Sequence, residues 1–246
     1  EYYYWDTYWI IDGLLGSDMI KTARDIIENF LEIVKENGFV PNGARIYYMN
    51  RSQPPLLISM VELYVRKTND MDFLIKALPL LDKEYTFWME QKAFAYNHTA
   101  SNTVYKLNWY NVQSNLPRPE SYREDYHNAK ESGNEAAYYA NVYSAAESGW
   151  DFSSRWFNDP MDIKTITITN ILPIDLNAIM LRNEKIMSDF YTKLNRSESD
   201  QTKAKKYTQA FNDRKEAINK IFWNVNKKLW TDFNLKTNKY HNDYLY

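Results

Sequence analysis

Apolar residues recur at helical spacing in six long stretches of this chain, and the segments between them are dense in Trp, Asp, Arg and Asn. In residues 17–37 the repeat is Ile20, Ala23, Ile27, Phe30, Leu31 and Val34. Ser17 is the expected N-cap there, with Asp18 in the first turn and Asn37-Gly38 as the stop. Residues 54–67 are apolar nearly all round, which predicts a buried helix. A third helix is expected over 70–91, with Pro79 marking a kink or a break. Residues 135–148 carry Ala136, Ala137, Ala140, Ala145 and Ala146, a pattern suited to close packing. Two more long helices are expected at 175–194 and 199–224. Residues 229–246 alternate aromatic and polar side chains and predict a hairpin turning at Lys236–Asn238. The expected fold is therefore all-α, with a short β-hairpin near the C-terminus.

Other features limit function. The 246 residues carry a net charge of -2, so no basic field is present to draw in nucleic acid or an anionic membrane. The longest apolar run, around residues 54–65, is broken by Glu62 and falls short of the roughly 20 residues that span a bilayer. No signal peptide or lipidation motif is visible. There is no cysteine, which removes disulfides and thiolate chemistry. With only six glycines there is no phosphate-binding loop, and His98, His127 and His241 lack metal-ligand spacing, so no metal is expected. Aromatic residues reach 16%, yet the mean hydropathy is -0.65. Such rings build either a helical core or a site where they stack on sugar faces, and composition alone favours the core. Three Asn-x-Ser/Thr triplets begin at Asn50, Asn97 and Asn195, each weak evidence for a secretory route. Glycan is expected at Asn97 and Asn195 rather than at Asn50, which falls inside a motif assigned to the site. The start at Glu1 without Met and the end inside an aromatic stretch predict that both ends are cut from something longer.

Five loops concentrate functional groups: residues 4–9, 41–45, 50–55, 116–121 and 147–156. Each sits beside an expected helix end, where residues distant in sequence can converge. Hydrolysis of an acetal needs two carboxyl groups, one to protonate the departing oxygen and one to activate water or attack carbon. Asp151, flanked by Trp150 and Phe152 with Trp156 nearby, suits an acid kept protonated by desolvation. It equally suits the N-cap of a helix beginning at Phe152. Arg51 and Arg118 stand beside prolines and offer fixed donor forks to sugar hydroxyls, or pair structurally with Asp6 or Glu120. Glu120 reads as a hydroxyl acceptor or a surface carboxylate. Asn42 is explained as well by its Pro-Asn-Gly turn as by binding.

Taken together in order, EYYYWDTYW, PNGARIYYMNRSQPP, LPRPESYRED, AAESGWDFSSRW and ILPIDLNAIM resemble the trehalases, family 37 of the glycoside hydrolases, along the whole chain. The resemblance implies an (α/α)6 barrel and inverting hydrolysis of α,α-trehalose to two glucose molecules without a cofactor. It makes Asp151 the general acid and places Trp5, Asp6, Asn42, Arg51, Ser52, Gln53, Arg118, Pro119, Glu120 and Gly149 on substrate-binding positions. At Gly149 the missing Cβ would let a sugar approach the backbone. The family's general base, a Glu in a later segment, is absent here. So are its Gln-Trp-Asp motif and the Gly-Gly-Arg-Phe stretch, with a substrate-binding Arg, expected before Glu1. Residues 1–246 are thus expected to form one incomplete catalytic domain, a partial barrel with negligible activity alone and poor solubility. The alternatives are a trehalose-binding relative without catalysis and another (α/α)6 glycosidase acting on α-glucosides. Disaccharide is the expected partner and the extracellular side the expected location, with membrane attachment only through a segment outside these residues.

Overall fold

The structure, a computed structural model, describes residues 2–98 and 102–241. It is mostly helical with small antiparallel sheets. The first helix, α1 (Asp6–Gly16), was not expected. Thr7, Ile11 and Leu15 form its buried stripe, while Trp9 and Ile10 on the other faces are exposed. Ser17 closes this helix rather than opening the next, its N–H reaching Gly13 O at 3.0 Å and Leu14 O at 3.1 Å. Asp18 sits at φ 56°, so it lies in the turn and not in a first helical turn. α2 (Ile20–Asn37) then buries Ala23, Ile27, Phe30, Leu31 and Val34, and ends on left-handed Gly38 as expected.

α3 (Leu57–Thr68) is buried from Leu57 to Val65 except at Glu62. α4 (Met71–Gln91) is capped by Asp70, which accepts from the Phe73 N–H, and Pro79 does not break it. The paired strands β1 (Ala93–His98) and β2 (Thr103–Asn108) follow, in register from Ala93↔Asn108 to His98↔Thr103. Neither was expected. α5 (Tyr122–Ser132), also unexpected, is polar and buries only Asp125 and Ala129. α6 (Glu135–Ser148) runs over the expected residues, from Asn134 as cap to left-handed Gly149.

The short strand β3 (Ile171–Leu172) leads into α7 (Ile174–Leu194), which folds back on α8 (Glu198–Ile221). Arg214 of α8 donates to Glu184 of α7 at 2.8 Å and to Asn177 at 2.9 Å across that contact. Four short strands end the described chain: β4 (Trp223–Asn224), β5 (Leu229–Trp230), β6 (Phe233–Asn234) and β7 (Lys239–Tyr240). β4 pairs with β5, and β3, β6 and β7 form a three-stranded sheet. The β6–β7 hairpin turns across the expected Lys236–Asn238, while the expected strand over residues 242–246 lies outside the described residues.

The core lies among α1 to α4, α6, α7 and α8. Trp88, Trp156, Tyr4, Tyr110 and Tyr207 are among its largest fully buried side chains, so much of the aromatic excess is packing. The N-terminal end of α1, the loop after α2, the loop before α5 and the C-terminal end of α6 meet at one side of this core.

Candidate functional site

All five loops contribute to one open cavity of about 320 Å³ at that meeting point. Its walls are Tyr3, Trp5, Asp6, Asn42, Tyr48, Arg51, Gln53, Arg118, Glu120, Ala146, Gly149, Asp151 and Phe152. The structure thus brings together nine of the eleven residues expected at the site.

Backbone bonds assemble it. Tyr4 N–H donates to Asn42 O at 3.1 Å, and Asn42 N–H to Arg51 O at 3.0 Å. Trp5 N–H donates to the Gln53 side-chain oxygen at 3.1 Å, which fixes the head of α1 against the 51–53 loop. The remaining two expected residues do not line the cavity, Ser52 being buried and Pro119 exposed. Ser52 is fully buried, with its hydroxyl on Val40 O at 2.6 Å. Pro119 opens the one-turn helix Pro119–Ser121 that carries Glu120.

Arg51 is buried and stacks over Tyr48, 4.8 Å from the ring centre, with Nη2 on Glu120 Oε1 at 2.5 Å. Its Nε and Nη1 have no partner among the described residues. The expected ion pair with Glu120 is therefore present, yet it uses only one of the guanidinium nitrogens. Arg118 lies over Phe152 and is gripped instead by Asp125 of α5, through Nε at 2.8 Å and Nη2 at 2.7 Å. Asp125 also accepts the Arg118 backbone N–H at 3.0 Å. Glu120 stands 3.9 Å from Arg118, so its carboxylate sits between the two guanidinium groups.

Asp151 does not cap a helix. Its φ is 43°, no helix begins at Phe152, and Ser153 caps the short turn Ser154–Trp156 that follows. Its carboxyl faces the cavity and forms no hydrogen bond among the described residues. Enough protein surrounds this solvent-facing group that lost hydration holds it above the usual carboxylate range, with Arg118 and Arg51 pulling it back and Asp6 and Glu120 adding to the rise. Gly149, at φ 74°, turns the chain from α6 toward Asp151. A Cβ there would lie 2.5 Å from Cε2 of the Trp5 indole. The room above Gly149 is thus occupied by Trp5.

Two further residues of the 147–156 loop, to which the sequence assigns no role, hold the site. Glu147 of α6 is fully buried, accepts the Ser52 N–H at 2.9 Å and pairs with Lys92 at 2.8 Å. Arg155 lies between the rings of Trp150 and Trp156. It bonds Asp175 at 2.8 and 2.9 Å and Asp232 at 2.7 Å through two nitrogens, tying the acid's loop to the start of α7 and to the C-terminal strands. A cavity with one desolvated acid, partly unsatisfied guanidinium donors, carboxylate acceptors and aromatic walls has the chemistry to hold and protonate a hydroxyl-rich ring.

The family profile described as Trehalase matches residues 1–246. The trehalase of Pimpla hypochondriaca is 44% identical over 98% of this chain and 42% of that protein. That of Dictyostelium discoideum is 45% identical over 96% of this chain and 40% of its own length, and the human trehalase is 39% identical over 99% and 42%. The chain therefore spans about 40% of the length of these curated relatives. Among solved structures, the neutral trehalase of Saccharomyces cerevisiae superposes with a TM-score of 0.79 at 22% identity, covering 98% of this chain and 48% of that one, a likeness of fold.

Proposed function

The chain belongs to the trehalase family, and from that premise we propose that its cavity binds α,α-trehalose and presents Asp151 as general acid in an inverting hydrolysis to two glucose molecules. One observation carries this reading: a solvent-facing carboxyl with no hydrogen bond among the described residues, its proton affinity raised by desolvation, shares a 320 Å³ cavity with Arg51, Arg118 and Glu120. An acid that must deliver a proton to a departing oxygen needs that raised affinity for its proton. The free Nε and Nη1 of Arg51 match hydroxyl acceptors, and Glu120, Asp6, Asn42 and Gln53 supply further polar contacts. The rings of Trp5, Tyr48 and Phe152 match the apolar faces of a pyranose. Ser52, Pro119 and Gly149 serve the same site by shaping its loops.

Inversion requires a second carboxylate roughly 6.5–9.5 Å away to activate water on the opposite face. Glu120 is engaged by Arg51 at 2.5 Å and stands 3.9 Å from Arg118, so its oxygens are taken up by these arginines rather than turned to a water. We assign the base to a glutamate outside these 246 residues, and these residues to one part of an (α/α)6 barrel. The cavity's donors and acceptors are assembled without that base, so the reading as a trehalose-binding relative without turnover has the same support up to the chemical step. Another (α/α)6 α-glucosidase would share the acid but accept other aglycones. Asn97 and Asn195, the two asparagines expected to carry glycan, are exposed, in keeping with a secretory route and an extracellular location.

The test is glucose release from trehalose by the full-length protein, with the products read by proton NMR before they mutarotate. Inversion yields one α- and one β-glucose, whereas retention yields only the α-anomer. Asp151→Asn is expected to lower kcat by about 100-fold or more, and residues 1–246 alone to release glucose at a negligible rate. Activity of Asp151→Asn within a few-fold of the unchanged protein would refute the assignment.

A further inference from the structure

We propose that Glu147, clamped by Lys92, is a positioning residue that sets Arg51 and Gln53 over the cavity by holding the Ser52 amide. Three consecutive residues of the 51–53 loop are each fastened to a different element. Arg51 O accepts from Asn42 N–H in the loop after α2, at 3.0 Å. The Gln53 side chain accepts from Trp5 N–H at the head of α1. Between them the Ser52 N–H points inward, away from either element, and meets Glu147 Oε1 at 2.9 Å on α6.

Glu147 lies in the last turn of α6, two residues before Gly149 and four before Asp151. The same helix end therefore carries the turn that aims the acid and the carboxylate that holds the arginine loop facing it. A weaker cross-link, Asn42 Nδ2 to Ala146 O at 3.5 Å, runs alongside. Lys92 follows the last turn of α4 and fixes the carboxylate from behind. Its ammonium reaches both Glu147 oxygens, at 2.8 and 2.9 Å, and also Asn111 O at 3.3 Å.

Stability alone is a poor reason for this arrangement. Both charges are almost wholly removed from water, and a buried ion pair is commonly no more stabilising than apolar side chains of the same volume. A buried carboxylate does offer a strong, directional acceptor to an amide that would otherwise be unpaired. With that acceptor in place, Arg51 is held at its own carbonyl, at the amide that follows it and, through its guanidinium, at Glu120. Without it, the Ser52 amide loses its partner, the backbone of residues 51–53 is tied only through Asn42, Trp5, Tyr48 and the Ser52 hydroxyl on Val40 O, and Arg51 and Gln53 gain room to shift against Asp151.

The inference rests on the sugar-binding reading for its kinetic arm alone. Two double variants of the full-length protein separate tether from charge. K92M/E147Q removes both charges but keeps an acceptor for Ser52, and is expected to hold kcat/KM within about 3-fold of the unchanged protein. K92M/E147L removes the acceptor as well, and is expected to lose about 10- to 100-fold in kcat/KM at a folded fraction matched by thermal melting. The alkaline limb of its pH profile, which reports the general acid, is expected to move upward as Arg51 withdraws from Asp151. Equal losses in the two variants, or a Leu variant with unchanged KM and pH profile, would overturn the proposal. Hydrogen exchange measured by mass spectrometry on peptides spanning Ser52 decides the matter even if the Leu variant does not fold or the protein turns over no trehalose. The Ser52 amide of the unchanged protein is expected to exchange as slowly as the buried amides of α6. Exchange at the rate of exposed loop amides refutes the tether.

Discussion

Glu84 offers a sharp test of how the site's foundation responds to pH. It lies in α4, fully buried, and Tyr4 Oη donates to its Oε1 at 2.7 Å. The same phenol accepts the Leu57 N–H at 3.0 Å, so Glu84 anchors both the start of α3 and the residue preceding Trp5 and Asp6. Burial pushes the Glu84 carboxyl from 4.5 up to about 7, against the opposing hydrogen bonds from Tyr4 and the Val40 backbone. The folded state therefore holds a proton between about pH 4.5 and 7 that the unfolded chain has released. Stability falls as pH rises through that window, and the loss stays constant above it. The rise corresponds to about 3 kcal/mol of penalty at alkaline pH. Glu84→Gln removes the ionisation and keeps an oxygen for Tyr4. At pH 5 the variant is expected to match the native protein to within about 1 kcal/mol. At pH 8 it is expected to be the more stable by up to about 3 kcal/mol. Urea unfolding followed by tryptophan fluorescence at several pH values measures the difference, in which all other titrating groups cancel. A native-minus-variant difference that does not change between pH 5 and 8 would refute the reasoning.

Gly149→Ala is expected to destabilise the protein by about 1–3 kcal/mol, because a left-handed backbone disfavours a side chain and the new Cβ would displace the Trp5 indole. A melting temperature within a degree or two of native would sink that account. Arg155→Lys keeps one charge but loses the fork that spans Asp175 and Asp232. The expected loss is about 3 kcal/mol or more, since a lysine leaves one of two neighbouring carboxylates unpaired. Chemical denaturation reads it, and a change under about 1 kcal/mol would show that water replaces the lost bonds.

The helices that sequence periodicity revealed are those with contrast between faces and clear stops. In α6, Asn134 and Gly149 bracket an alanine-rich run, and the expected and observed limits coincide. α1 escaped because its sequence, DTYWIIDGLLG, is apolar on several faces, so no stripe stands out even though Thr7, Ile11 and Leu15 alone are buried. α5 escaped for the opposite reason. YREDYHNAKES is polar all round, and its packing depends on Asp125 receiving Arg118, a tertiary bond with no periodic signature. Ser17 was assigned to the wrong helix because a residue that can cap an N-terminus can also follow a C-terminus, and nothing in residues 17–37 reveals that α1 ends there.

At the site, the residues that line the cavity were legible while those that hold them were not, because a holding role depends on a tertiary partner, 95 residues away for Glu147 and Ser52 and 77 for Asp232 and Arg155. Asp151, Arg51, Arg118 and Glu120 sit in short motifs with unusual composition. Glu147, Asp125 and Asp232 behind them are ordinary acidic residues whose meaning appears only when the fold brings Ser52, Arg118 and Arg155 to them. Local sequence also left Asp151 balanced between acid and helix cap, since both roles favour the same residue. Backbone geometry separates them. A cap needs extended backbone and a helix ahead of it, and Asp151 has φ 43° and no helix at Phe152. Gly149 shows the converse. Sequence assigned its bare backbone to an approaching sugar, but the Trp5 ring lies on it. The surface a pyranose would meet there is therefore an indole held flat by the absence of a Cβ. The glycine shapes the cavity through its aromatic wall, which makes Trp5 and Gly149 one structural unit linked across 143 intervening positions.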